Sequence, residues 1–276
     1  MTPTSTKEEL SSTSVRTVWI HGYSGRVGQE LRKLLIDAPS FKLVGGADLT
    51  QVYRSTETGP GEGSGTDRTL EKSVQRNSTS LLASVRDADL LIDFSLPEGT
   101  KTLIQELSKF KDLRCQGILV GTTGISKDEV QALAKILLDQ GMRLLVTPNT
   151  SIGIGLMIQA ATAIAQKALS EGFDASLLDI HHRYKKDKPS GTALLIRDQV
   201  LASLESSAAP EFEIAAQRTG GVLGEHHLTF GSDEEVIRIS HMALSRALFA
   251  KGALYLGQWL LRQKPGIYGW KDVWGQ

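Results

Sequence analysis

The chain has 276 residues, 40% apolar and 22% charged, with 31 basic and 31 acidic side chains. That is ordinary globular composition at a length allowing one or two domains, and the balanced charge offers no basic face for nucleic acid or an acidic membrane. A single cysteine, Cys115, excludes an intrachain disulfide, argues against a thiolate metal site, and reads as structural or incidental.

Residues 1–14 are rich in Ser and Thr and lack the apolar centre of a secretory signal. No apolar run approaches the ~20 residues of a membrane span. A reducing, cytoplasmic setting is expected. Residues 15–21 then form a short apolar strand, and Gly22-Tyr23-Ser24-Gly25-Arg26-Val27-Gly28 turns from it into a helix over 26–36. A second strand, 41–47, ends at Asp48. Residues 54–80, rich in Ser, Thr, Gly and charge, read as a long surface insertion.

Alternation resumes with a strand at 89–94, a helix at 97–110 and a strand at 117–121. A helix at 127–140 follows, opened by a capping box of Ser126 and Glu129, and then a strand at 142–147. Continuous apolar strands alternating with helices predict an α/β fold with a doubly wound, parallel, Rossmann-like sheet. Beyond Asn149 the pattern changes to a helix at 154–169, a strand at 175–181 and a helix at 193–204. Strands at 211–218, 226–230 and 235–241 have short turns between them. They predict a second α+β domain on a mostly antiparallel sheet. An amphipathic helix at 245–261 ends the pattern.

The loop at 22–28 has the spacing G-x-x-G-x-x-G between a strand and a helix, where glycines let backbone approach a pyrophosphate at a helix N-terminus. Asp48, 20 residues after Gly28, is placed to accept from ribose hydroxyls. Together they point to a dinucleotide, bound by Gly22, Tyr23, Ser24, Gly25, Arg26, Val27 and Asp48. The next residue, Leu49, is not the Arg that would hold a 2′-phosphate, so NADH is favoured over NADPH. Phe94-Ser95, Gly121-Thr122-Thr123-Gly124 and Pro148-Asn149-Thr150-Ser151 end three further strands at the same crevice. Asp93, just before the Pro97 helix start, reads as a loop-fixing and helix-entry residue rather than an acid catalyst.

The segment from His181 to Ala193 concentrates the remaining chemistry. Two imidazoles and Lys185, Lys186 and Lys188 precede Pro189-Ser190-Gly191-Thr192 at a strand-to-helix junction. Backbone N–H groups, hydroxyls and ammonium charge there suit a small carboxylate, although a solvated charge run has the same composition. Adjacent His181 and His182 face opposite sides of a strand and cannot easily share one metal ion. The pair His226-His227 has the same defect and no companion ligands in sequence, and reads as structural. His21 and His241 read as strand-end residues, and no metal is expected.

This segment resembles the signature of dihydrodipicolinate reductases: a His, three residues, a Lys, then Asp-x-Pro-Ser-Gly-Thr-Ala after a strand. His181, Lys185 and residues 187–193 fill each place. The resemblance extends through Gly121-Thr122-Thr123-Gly124, the Asn149 turn, 93–100, 218–226 and 240–246. Where the family usually has two Glu before the His and a Phe after the Asn, this chain has Ser176, Asp179 and Thr150.

The resemblance implies a 4-hydroxy-tetrahydrodipicolinate reductase of lysine and diaminopimelate synthesis, an NAD(P)H-dependent oxidoreductase. It implies Lys185 as proton donor, assisted by His181, with the substrate carboxylates on His182, Ser190, Gly191 and Thr192. The nicotinamide side would be formed by Phe94, Gly121, Thr122, Thr123, Pro148, Asn149, Thr150 and Ser151. Cations around Lys185 would ease its proton release. The final helix would return to the cofactor domain, giving 15–149 plus 244–276, with 150–243 as an inserted substrate and assembly domain of a homotetramer. The alternatives are a related reductase of another cyclic imine acid and a catalytically silent dinucleotide-binding regulator.

Overall fold

The structure, a computed structural model, describes residues 14–54, 72–77, 80–81, 85–86, 88–110, 113–205 and 211–275. In chain order the first half holds β1 (Arg16–His21), α1 (Arg26–Ile36), β2 (Phe41–Ala47), β3 (Gln51–Arg54), β4 (Lys72–Gln75), β5 (Leu90–Asp93), α2 (Pro97–Leu107), β6 (Gly117–Val120), α3 (Lys127–Leu138) and β7 (Arg143–Val146). The second half holds α4 (Ile152–Ser170), β8 (Asp174–His181), α5 (Gly191–Ala202), β9 (Phe212–Arg218), β10 (Glu225–Gly231), β11 (Val236–Met242), α6 (Ala247–Leu261), β12 (Gly266–Tyr268) and α7 (Trp270–Trp274).

The first sheet has the order β12-β7-β6-β5-β1-β2-β3-β4. Strands β12 to β2 run parallel, and the central β5 and β6 are buried along their whole length and read as nearly continuous apolar runs. Val18, Trp19 and Ile20 of β1 and Leu90, Leu91 and Ile92 of β5 are fully buried. This is the doubly wound arrangement expected from the alternation. The strands after β2 are an addition: β3 and β4 form an antiparallel extension, with β4 inside the stretch 54–80 where the sequence pattern suggested only a surface insertion. Residues 55–71, 78 and 79 of that expected insertion lie outside the described residues.

The second sheet has the order β11-β10-β8-β9. β10 pairs antiparallel with β8 and β11, whereas β9 lies parallel to β8, reached through α5. The expected run of consecutive hairpins therefore breaks between β9 and β10, which flank β8 on opposite sides. Period-2 alternation puts Ala175, Leu177, Asp179 and His181 of β8 on the inner face, with His226, Leu228 and Phe230 of β10 beside them.

Helix α4 packs over this inner face with Ile154, Met157, Ile158, Ala161 and Ala165 in the core. At 19 residues and a mean hydropathy of 1.3 it has the length and composition of a membrane span, contrary to the sequence reading. Its buried stripe fits a core helix. Helix α6 packs on the first sheet, where Leu256 and Leu260 join Leu90, Leu119 and Leu145 in one apolar cluster.

Candidate active site

The crevice opens at the carboxyl ends of β1, β5, β6 and β7. Gly22 turns the chain there with φ of +85°, and a Cβ on it would stand 2.6 Å from the Phe94 carbonyl oxygen. Only glycine permits both the conformation and the approach. Helix α1 begins at Gly25 with no side-chain cap and no acidic residue in its first turn. Its first N–H groups are thus open to an anion, and Arg26 pairs with no carboxylate among the described residues. The Asp48 carboxylate accepts the Ser24 N–H at 3.1 and 3.2 Å, which ties the loop to the end of β2.

Beneath the loop, Asp93 accepts from Ser95 N–H at 2.9 Å and from the Thr100 hydroxyl at 2.6 Å, with His21 Nδ1 at 3.2 Å. Burial opposes its charge, but His21 and the two hydrogen bonds outweigh burial and hold its carboxyl below the ordinary range. That is the loop-fixing role read from sequence.

Across the crevice, β8 delivers His181 to the inner face and His182 to the next position, and the chain returns through Lys185 to the N-terminus of α5. The cleft between the two sheets encloses ≈ 250 Å³. Arg26, Arg246, His182 and Lys185 line it, and none of its lining residues carries a carboxylate. Burial, and then Arg26, His181, Arg246 and Lys185, push the His182 imidazole below its usual value. Such a concentration of positive charge suits a small dianion. Asn149 Nδ2 donates to Thr192 Oγ1 at 2.9 Å and ties the turn after β7 to the α5 start.

Two family models match the chain, dihydrodipicolinate reductase N-terminus over residues 16–150 and C-terminus over 153–274. The 4-hydroxy-tetrahydrodipicolinate reductase of Aquifex aeolicus is 31% identical over 274 residues, covering 95% of this chain and 99% of that one. Its counterpart in Caldanaerobacter subterraneus subsp. tengcongensis is 33% identical over 268 residues, with 92% and 96% covered. The chain belongs to the dihydrodipicolinate reductase family. The fold agrees with a dipicolinate-bound dihydrodipicolinate reductase from Paenisporosarcina sp. TG-14, with a TM-score of 0.68 at 18% identity over 94% of this chain and 99% of that one.

Within this reductase-family chain, Arg26, Val27, Phe94, Gly121, Thr123, Pro148, Asn149, His181, His182, Lys185, Gly191 and Thr192 are brought together at the cleft. Several other expected residues turn elsewhere. The Tyr23 ring is buried, stacks on Tyr53 at 4.6 Å and lies under Arg32, so only its backbone belongs to the loop; burial raises its pKa to about 12. Thr122 donates to the Ser95 carbonyl at 3.3 Å. Thr150 is 1% exposed and donates to the Phe249 carbonyl on α6 at 2.8 Å, so its hydroxyl faces the core. Ser151 caps α4 through the Ile154 N–H.

Ser190 is also turned inward. Its hydroxyl accepts from Ala193 N–H and donates to Asp179, and its N–H donates to Asp179 as well. The anion-binding capacity of this turn therefore passes to the first-turn N–H groups of Gly191 and Thr192, the former already facing the Asp187 carboxylate. Lys185 pairs with Asp187 at 2.8 Å. An anion thus sits in direct contact with the ammonium, where the sequence showed mainly neighbouring cations.

Sequence reasoning missed the inner-face row beneath His181. His226 lies opposite Asp179 on β8 and opposite His241 on β11. The imidazole of His226 stands 5.4 Å from that of His181 and 6.1 Å from that of His241, centroid to centroid. The sequence presents His226 as structural and without companions, yet Asp179, His181 and His226 bring one possible ligand atom each to within 4.8 Å of the others. Arg218 already neutralises the carboxylate of this group at 3.1 Å, which favours a hydrogen-bonding cluster over a metal site. The strand spacing Asp179-x-His181 was a usable signal for one face. The cross-strand register that adds His226 and His241 was not.

Proposed function

We propose that this protein reduces the cyclic imine derived from 4-hydroxy-tetrahydrodipicolinate, with a reduced nicotinamide cofactor, in lysine and diaminopimelate biosynthesis. The observation that carries the proposal is the cleft in which Lys185 (paired with Asp187), His182 and Arg246 face the glycine loop and Arg26. It would receive a dianion on one side and a pyrophosphate on the other. The name shared by the curated relatives supports the same reading.

The residues present fit a nicotinamide dinucleotide. The N-terminus of α1 is uncapped by any side chain, and Asp48 is held at the end of β2 by Ser24, where a ribose diol would donate to it. Gly22, Tyr23, Ser24, Gly25, Arg26 and Val27 would hold the pyrophosphate. Phe94, Gly121, Thr123, Pro148 and Asn149 would border the nicotinamide. Leu49 next to Asp48 is 53% exposed and offers no cation to a 2′-phosphate, which supports NADH over NADPH.

When bound, the cofactor supplies a hydride. This chain's own residues do the rest. Gly191 and Thr192 N–H groups, with His182, hold the carboxylates. Lys185 Nζ delivers the proton that the enamine carbon requires, and Asp187 positions the ammonium until that transfer. His181 assists from the strand end. Closing the cleft excludes water from the charged groups.

The domain division 15–149 plus 244–276 around 150–243 is part of this proposal, supported by the return of α6 and β12 to the first sheet. So are a cytoplasmic location and a homotetramer docked through the outer face of the second sheet, where Val236 is 58% exposed.

The test is oxidation of NADH and NADPH by the purified protein, with the condensation product of pyruvate and aspartate semialdehyde formed in situ. Turnover dependent on that product, faster with NADH, is expected. Cofactor binding without turnover would leave the dinucleotide-binding regulator.

A further inference from the structure

Asp179 is fully buried beneath the second sheet's end of the cleft, and its two oxygens meet Ser190, His181, His226 and Arg218. Oδ1 accepts the Ser190 hydroxyl at 2.8 Å and lies 3.0 Å from His181 Nδ1 and 3.4 Å from His226 Nε2. Both imidazole contacts are at ion-pair distance, without the alignment of full hydrogen bonds. Oδ2 accepts the Ser190 N–H at 2.9 Å and Arg218 Nη2 at 3.1 Å. The same guanidinium nitrogen donates to the Asp187 carbonyl oxygen at 2.6 Å, in the loop that holds Lys185. One Asp–Arg pair thus touches the end of β8, the Lys185 loop and the start of α5.

We propose that Asp179, together with Arg218, is the positioning residue of the site: it fixes His181 and the Ser190–Thr192 turn in one relative geometry. This inference rests on the reductase reading above. The physical argument has two parts. The carboxylate beside Nδ1 favours the tautomer with its proton on Nδ1, leaving Nε2 bare beside Gly224, where a Cβ would come to within 2.9 Å of it. Arg218 meanwhile neutralises the carboxylate, so the pair supplies rigidity without adding negative charge next to a dianion site. Burial works against the charge of Asp179, but His181, His226 and Ser190 outweigh it and hold the carboxyl well below its usual range. Asp179 therefore stays an acceptor throughout the working pH range.

The experiment compares wild type, Asp179→Asn and the charge-neutral double variant Asp179→Asn/Arg218→Met, with Lys185→Ala as a chemistry control. Misplacing a reacting group by about an ångström costs on the order of 10²-fold in rate. The expected result is a kcat loss of that order with a raised KM for the imine. The cofactor dissociation constant, followed by nicotinamide fluorescence, should be unchanged. Asp179→Glu should recover part of the kcat. The double variant guards against the single one failing to fold through its unpaired guanidinium.

Nitrogen-15 histidine spectra of the wild type add a readout free of any substitution, with His181 expected as the Nδ1–H tautomer. A kcat within about threefold of wild type in both variants, or a Nε2–H tautomer in the spectra, would overturn the inference. Absence of wild-type turnover would instead defeat the reductase reading, and the spectra would still decide the tautomer.

Discussion

Arg76 Nη1 stands 2.8 Å from His21 Nε2 and 2.8 Å from the carbonyl oxygen of Asp48. A guanidinium only donates, so His21 accepts through Nε2 and carries its proton on Nδ1, which faces Asp93. The chain Arg76–His21–Asp93–Thr100 therefore ties the end of β4 to the ends of β1 and β5 and to α2, directly under the cofactor loop. Replacing Arg76 by Ala leaves the Asp48 carbonyl and His21 without their donor. A loss of about 1–3 kcal/mol in urea unfolding is expected, with weaker cofactor binding and little change in the imine KM. Unchanged stability would show that water replaces the guanidinium.

Lys185→Ala should cut turnover by about 10²–10⁴-fold, the usual worth of a positioned acid. Cofactor affinity should survive, since Lys185 belongs to the opposite side of the cleft. A regulator that only binds dinucleotide would show no such separation.

Thr150 donates to the Phe249 carbonyl rather than facing the crevice. Thr150→Val is accordingly expected to lose about 1 kcal/mol of stability and to leave the cofactor dissociation constant alone. A shift in that constant with no change in stability would return the hydroxyl to the cofactor.

Leu49→Arg should raise the NADPH-to-NADH ratio of kcat/KM by about tenfold or more, because a charged hydrogen bond to phosphate is worth about 1.5–3 kcal/mol. Steady-state rates with the two cofactors check it. An unmoved ratio would mean that the 2′ position lies away from the end of β2.

Acid should unfold the protein in two stages. His226 is held below the ordinary imidazole range, as burial outweighs the nearby Asp179, and His241 is lowered by burial and by His226. Below the reference value of 6.5 the unfolded chain takes up protons that these folded imidazoles refuse, so stability falls as pH falls. Asp93 and Asp179 are depressed carboxylates. Their contribution is complete above 3.8 and is lost as pH drops from there through their folded values. Urea midpoints from neutral to acid pH should show both falls, and His226→Gln should flatten the first. A single fall confined to low pH would contradict the histidine assignment.

The parallel sheet was readable because burial on both faces writes β1, β5 and β6 as uninterrupted apolar runs. The cleft was readable where chemistry is local in sequence, as in the glycine loop and residues 181–193. What escaped was long-range. Strand β9 sits beside β8 and not β10, a pairing that no local pattern encodes. The inward turns of Ser190 and Thr150 depend on acceptors 11 and 99 residues away. Arg76 reaches His21 across 55 residues from a stretch whose composition suggested only loop.

The return of α6 to the first sheet also governs the order in which the protein can be made. Leu90, Leu119 and Leu145 share their apolar cluster with Leu256 and Leu260, and β7 gains its outer neighbour only from residues 266–268. During synthesis the amino-terminal half leaves the ribosome early, yet it keeps a bare apolar face and an open strand edge until the last part of the chain has emerged. The second sheet has all of its described strands by residue 242. It is therefore the part that can close first, and a chain cut short after β11 would expose the cofactor sheet to aggregation.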